Sequence, residues 1–318
     1  MGRRIYIAGA NDNRAEGKIR GITLAGAYGD EVSLWPENFW TMLLSRLSVR
    51  GAKGFFTTNP DGPYHWLKAN YLDREKELNL RSWHFTLDDN PHLDPDYVSD
   101  LKREYVGLWY QRYIEGLWVM AEGVVFDMFD EQRHAVDILP SHLGQWVVGV
   151  DYGTTNPCVF LLLGTDGRRW YQTKEYYWDA VERGRQKTDA QYADDMIAWL
   201  DGLRPRSIYV DPSATSFIAE LRRRGLPVAG ADNAVLPGIQ TVSKLLADDR
   251  LFIHRSCTHS LQEFGAYTWD AKAQQRGEDK PLEQHDHAHD ARRYALHTTL
   301  GRYRAPETGT IALGSAWR

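Results

Sequence analysis

The chain has 318 residues, 42% of them hydrophobic and 25% charged, with a net charge of -5. That balance excludes a disordered chain, a collagen-like repeat and a surface that is cationic all over, and the length suits about two domains. Two cysteines, Cys158 and Cys257, are too far apart for a zinc ribbon or a disulfide framework. The apolar run from Cys158 to Leu163 is far below the ~20 residues that cross a bilayer, so the reading is a soluble, intracellular protein with no membrane partner.

In chain order, short apolar runs predict strands at residues 5–9, 22–27 and 53–58, with a helix over 37–47. Asp94-Pro95 opens a second helix, over 94–107. Strand and helix alternate as in an α/β domain covered on both faces. Between residues 121 and 144 the periodicity weakens and Gly123, Pro140 and Gly144 intervene, which places a domain junction there. Strands follow at 146–151, 159–163 and 170–178, the last two joined by the Asp166-Gly167 turn. A helix over 189–203, a strand over 207–210, a helix over 213–224 and a strand over 227–231 come next, with further helices at 241–247, 258–266 and 286–300. Three antiparallel strands, then helix, strand, helix, strand, is the order of an RNase H-like core. Residues 301–318 read as a flexible tail.

Asp151 ends the first strand of the second domain and Asp211 ends the fourth. In an α/β sheet such positions converge on one small volume. Paired carboxylates there suit Mg²⁺ or Mn²⁺, and two such ions can activate water and stabilise the leaving oxygen of a phosphodiester. Asp286 and Asp290, four apart on the last helix, share a face and repel each other, and Arg293 can offset that with a salt bridge. His285, His287 and His289 alternate with acids, but i and i+2 point apart on a helix and no Cys or HExxH accompanies them, which argues against zinc. His287 or His289 is expected instead to orient a metal ligand or water from outside the coordination sphere.

The strings Gly149-Val-Asp-Tyr-Gly153, Val210-Asp-Pro-Ser213 and Asp286-His-Ala-His-Asp-Ala-Arg-Arg-Tyr294 together resemble the large terminase subunit of tailed double-stranded DNA bacteriophages, or of a prophage. The likeness runs from residue 1 to about residue 300. It implies an α/β protein in which a C-terminal RNase H-like nuclease domain (145–300) follows an incomplete P-loop-type ATPase domain (1–120). Asp151, Asp211 and Asp290 would be the catalytic acids that bind two Mg²⁺ or Mn²⁺ ions, with Asp286 a further candidate ligand. In the first domain, Ile22 to Glu31 resembles a Walker B strand, in which Asp30 would hold Mg²⁺ and Glu31 would polarise water. Thr57-Thr58-Asn59 resembles the motif coupling ATP hydrolysis to DNA movement.

No G-x-x-x-x-G-K-[ST] string occurs; the nearest, Glu16-Gly17-Lys18-Ile19, lacks the hydroxyl. The chain is therefore expected to begin inside the ATPase domain and, alone, to bind ATP weakly and hydrolyse it negligibly. ATP would serve the complete motor only. The resemblance further implies double-stranded DNA as substrate, a portal protein and a small terminase subunit as partners, a ring of copies in the full motor, and action in the bacterial host cytoplasm at the viral procapsid. Arg222, Arg223, Arg224 and Lys280 are candidate DNA-phosphate contacts. Alternative readings are a transposase or resolvase on the same core, an actin-like or sugar-kinase-fold ATP-binding protein suggested by Gly149-Val-Asp-Tyr-Gly-Thr-Thr155, and an inert prophage remnant.

Overall fold

A computed structural model describes residues 4–10, 12 and 14–304, and it divides into two compact units. The first comprises residues up to Glu122 together with Asp270–Lys280; the second comprises Gly123–Trp269 and the chain from Pro281 onward.

The first unit is built on a two-stranded parallel sheet, β1 (Gly26–Gly29) and β2 (Lys53–Phe56). Helix α1 (Glu37–Arg46) connects them and buries Phe39, Trp40 and Leu43. Short helices α2 (Trp66–Asn70), α3 (Pro95–Glu104) and α4 (Gly107–Tyr113) follow. Three expectations are corrected here. Residues 5–9 form no strand: Ile5 and Ile7 are almost fully exposed, and without a ladder partner a short apolar run has nothing to pair with. The strand expected at 22–27 slides to Gly26–Gly29, because Ile22 and Leu24 pack on the cluster of Ala15, Ile19, Phe39 and Leu43 instead of joining the ladder. The helix expected over 94–107 ends at Glu104, and Gly107, at φ +54°, starts a new one.

In the second unit, α5 (Glu131–His134) leads into β3 (Ala135–Val136), the edge strand of a seven-stranded sheet. The remaining strands are β4 (Gln145–Asp151), β5 (Cys158–Thr165), β6 (Trp170–Trp178), β7 (Ser207–Val210), β8 (Val228–Gly230) and β9 (Leu251–His254). Their spatial order is β3-β9-β6-β5-β4-β7-β8. β4, β5 and β6 form the antiparallel meander; β7 and β8 extend it in parallel beyond β4. This is the expected RNase H-like arrangement, widened by β9 and β3. The expected 121–144 junction thus belongs partly to this unit, where Val125, Phe126 and His134 are buried. All eight residues of β5 are buried, as its uninterrupted apolar run requires of a strand covered on both faces.

One face carries α6 (Asp189–Leu200) and α7 (Thr215–Arg223), closing a core of Val148, Val150, Phe160, Tyr192, Met196, Ile208 and Phe217. The other face carries α8 (Val235–Ala247), α9 (Thr258–Ala266) and α11 (His287–Arg304). Helix α8 starts six residues earlier than its pattern suggests, because Pro237 falls in its first turn, where no N–H is needed. Residues 301–304, expected in a flexible tail, belong to α11; the rest of that expectation, residues 305–318, lies outside the described residues.

Between α9 and α11 the chain makes an excursion. Trp269 bridges Pro281, and the Asp270 N–H donates to the Lys280 carbonyl at 2.8 Å, closing the base of an eleven-residue strap that contains α10 (Ala271–Gln275) and belongs to the first unit. Within that unit Arg112 binds both Asp61 (3.0 Å) and Asp279, and Gly277, at φ +79°, lies against the Tyr64 and His65 backbone, where a Cβ would come within 2.8 Å.

Candidate metal centre and its surroundings

Register sets the first two acids side by side. Val150 of β4 pairs with Val210 of β7, so Asp151 and Asp211 leave neighbouring parallel strands at the same end. Asp290 reaches them from α11 because that helix comes unusually close to the sheet. A Cβ on Gly149 would lie 1.8 Å from the Ala291 carbonyl oxygen, so only glycine lets the helix backbone sit there. Gly238 on α8 makes room for the Arg293 side chain: a Cβ there would fall 2.2 Å from its Cγ.

Each carboxylate has its own partners. His287 Nδ1 donates to Asp151 Oδ2 at 2.8 Å. Asp211 accepts the Ser213 N–H at 2.7 Å on Oδ1, and the Asn233 amide (3.2 Å) and Tyr294 hydroxyl (3.0 Å) on Oδ2. Arg293 donates to Asp290 Oδ1 at 2.9 Å and to the carbonyls of Asn233 and Ala234. Asp286 precedes α11, and its carbonyl accepts the Asp290 N–H at 2.7 Å.

The electrostatics separate these acids. Burial drives Asp290 up to about 6, with Asp151 and Asp286 adding to the rise and Arg293 opposing it. Burial likewise raises Asp286, helped by Asp151 and countered by His287. Asp211 goes the other way: burial alone would raise it, but the hydrogen bonds from Ser213, Asn233 and Tyr294 hold it below the usual range. For His287, burial works against the charged ring and is outweighed by Asp151 and Asp286, so its pKa rises.

Hard oxygen donors under mutual repulsion fit Mg²⁺ or Mn²⁺ in donor type and charge. Their positions stand short of a ligand cage: among the described residues no group of three or more His, Cys, Asp or Glu side chains is gathered to hold a metal ion. The oxygens are held by His287, Tyr294, Asn233 and Arg293 instead.

The two histidines expected to support this centre part company. His287 touches Asp151; His289 is buried on another side of α11, stacked 4.8 Å from Tyr267 and near Phe126 and Phe264. Burial, with Arg292 beside it, keeps His289 neutral. It supports the core and not the carboxylates. Tyr294, Asn233 and Glu263 were missed by sequence reasoning. Tyr294 closes the motif helix and falls one turn after Asp290, which is the one signal that marked it.

In the first unit, parallel pairing of β1 and β2 brings the two acidic and hydroxyl strings together. Thr57 donates to Asp30 Oδ1, Asn59 donates to Glu31 Oε1 at 3.1 Å, and the Thr58 hydroxyl accepts the Ser33 N–H at 3.1 Å. Glu31 takes a left-handed backbone, φ 51° and ψ 48°, which turns the chain toward Asn59.

Arg222, Arg223 and Arg224 are not brought to the carboxylates. α7 leaves the sheet beside Asp211 and returns the chain to the start of β8, so Arg222, Arg223 and Arg224 sit at the opposite end of the strands. Arg223 and Arg224 pair with Glu220, and Arg224 also with Asp194, as a helix C-terminus favours. Lys280 lies at the base of the strap, in the first unit.

Comparison with known proteins agrees in both units. Residues 1–133 match the family described as terminase large subunit, T4likevirus-type, N-terminal, and residues 149–299 match the terminase RNaseH-like domain. The large terminase of a thermophilic bacteriophage is 44% identical over 93% of this chain and 73% of its own, with a TM-score of 0.85. The structure of that terminase in complex with ADP gives 44% identity, 91% and 73% coverage and a TM-score of 0.83. The large terminase subunit of Escherichia phage T5 is 24% identical over 275 residues, 82% of this chain. The chain spans 62% of the length of that curated relative.

Proposed function

The chain belongs to the bacteriophage large terminase family, and from that premise we propose that it is a divalent-metal-dependent endonuclease that cuts double-stranded DNA during viral genome packaging. The observation that carries this reading is the row of Asp211 and Asp151 on adjacent parallel strands with Asp290 lowered onto it through Gly149.

Asp151, Asp211 and Asp290 would hold two Mg²⁺ or Mn²⁺ ions, with Asp286 as a further ligand. Bound there, the ions supply an activated water and stabilise the departing 3′ oxygen. The chain's own groups prepare the ligands. His287 orients Asp151, the Tyr294 hydroxyl and the Asn233 amide orient Asp211, and Arg293 holds Asp290 against the repulsion of its neighbours. With Asp211 kept ionised by its hydrogen bonds, one carboxylate is ready for a cation even where Asp290 still carries a proton.

The first unit is read as part of a packaging motor, in which Asp30 and Glu31 face Thr57 and Asn59. Lacking the phosphate loop string, this chain alone would bind ATP weakly and turn it over negligibly. Portal protein, small terminase subunit and a ring of copies belong to the complete motor, working in the host cytoplasm at the procapsid. The alternatives of a resolvase and of an actin-like ATP-binding protein lose their ground once both units match one family.

The test is nicking and linearisation of supercoiled plasmid in Mn²⁺, Mg²⁺ or EDTA. Cutting is expected with metal, none with EDTA, and a fall of at least roughly a hundredfold for Asp211→Ala. Unchanged cutting by Asp211→Ala would remove the assignment of the site.

A further inference from the structure

Glu263, in α9, is only 5% exposed, yet both oxygens of its side chain are engaged. Oε2 accepts the Ala288 N–H at 2.8 Å and Oε1 accepts the Tyr177 hydroxyl at 3.1 Å. Ala288 is the second residue of α11. The first N–H groups of a helix have no carbonyl partner of their own, and a carboxylate facing them gains a charge-assisted hydrogen bond together with the attraction of the helix dipole. Helices are usually capped by the residue just before them; here the side chain comes from a separate helix, 25 residues upstream.

The other partner gives this cap its meaning. Asp151 pairs with Val159 of β5, and Val159 pairs with Tyr177 of β6, so Tyr177 stands in the same transverse row of the sheet as Asp151. The residue just before Ala288 is His287, which donates to Asp151, and two residues after it is Asp290.

We propose that Glu263 is a positioning residue of the nuclease centre: by tying the first turn of α11 to Tyr177 at the level of Asp151, it sets where His287 and Asp290 stand relative to that carboxylate. Its chemical consequence rests on the nuclease reading above, whereas its structural consequence does not.

Amide hydrogen exchange on the full metal-free chain reads the structural part. Glu263→Ala should speed exchange over residues 285–291 by about tenfold or more, while α8 and β4 keep their protection. Glu263→Gln, whose carbonyl can still accept from Ala288, should stay within about threefold of the parent, and Tyr177→Phe should fall between the two. In plasmid cutting, Glu263→Ala should need at least about tenfold more Mn²⁺ for half-maximal rate, with DNA affinity unchanged and with Glu263→Gln restoring most of the loss. A folded Glu263→Ala with parental exchange over 285–291 overturns the proposal. Should that variant fail to fold, parental exchange in Tyr177→Phe does so. Absence of cutting by the parent chain would strike the nuclease reading and leave the exchange result to decide the role of Glu263.

Discussion

Asp290 is held in a conflict that can be measured. Its carboxyl, raised to about 6, takes a proton more readily in the folded chain than in the unfolded one, where the ordinary value is 3.8. A group of that kind contributes its stability below pH 4, and the contribution is lost as pH rises through about 6. Asp290→Asn removes the dependence. In EDTA at pH 7 the Asn variant should therefore be more stable than the parent by about 1–3 kcal/mol, with the difference vanishing near pH 4, as paired urea titrations at the two pH values would register. Equal stability at pH 7 would mean that Arg293 already compensates the charge. His287 has the same sign in a higher window: the stability tied to its charge is complete below pH 6.5 and is lost as pH climbs past its raised folded value. The Asn variant, carrying one anion fewer, should also lose metal-dependent cutting, so the same substitution would raise stability and remove activity.

At the scale of elements, α11 is the piece on which the centre depends, and Gly149 is what seats it. Alanine at 149 would place a Cβ against a carbonyl of the helix backbone, which cannot swing aside as a side chain would. Gly149→Ala should cost about 3 kcal/mol or more and lift α11 from β4, abolishing cutting even in a partly folded chain; near-ultraviolet circular dichroism and thermal melting would follow it. The strands of the second unit and the acids at their ends were legible in the sequence, because long apolar runs and terminal carboxylates are local patterns. Asn233, Tyr177 and Glu263 were not, since their relevance lies in which elements they bridge, and no spacing along the chain expresses a contact across the sheet. Arg222, Arg223 and Arg224 show the converse: they form a conspicuous local cluster, and only the topology shows that it lies at the far end of β7 and β8 from the carboxylates. The early strand at residues 5–9 failed because an apolar run states a preference and a ladder needs a neighbour.

For the molecule as a whole, the strap from Asp270 to Lys280 has the largest reach. Arg112 is buried between Asp61 and Asp279, so removing it leaves two carboxylates facing each other, one of them almost fully enclosed. Arg112→Ala should destabilise the first unit by roughly 3–5 kcal/mol. It should also loosen the strap backbone enough for trypsin to cut after Lys272 and Arg276, whose side chains are already exposed, while Lys244 in α8 remains protected; limited proteolysis followed by mass spectrometry distinguishes the two. Persistence of strap protection in the variant would show that Gly277 and its neighbours suffice to hold it. The strap also bears on inheritance. Phage genomes exchange modules by recombination, and a crossover near residue 122 would join one ancestor's Arg112 to another's Asp279, because eleven residues encoded far downstream complete the upstream fold. Chimaeras joined at that point are therefore expected to fold chiefly when both partners of the ion pair come from the same parent.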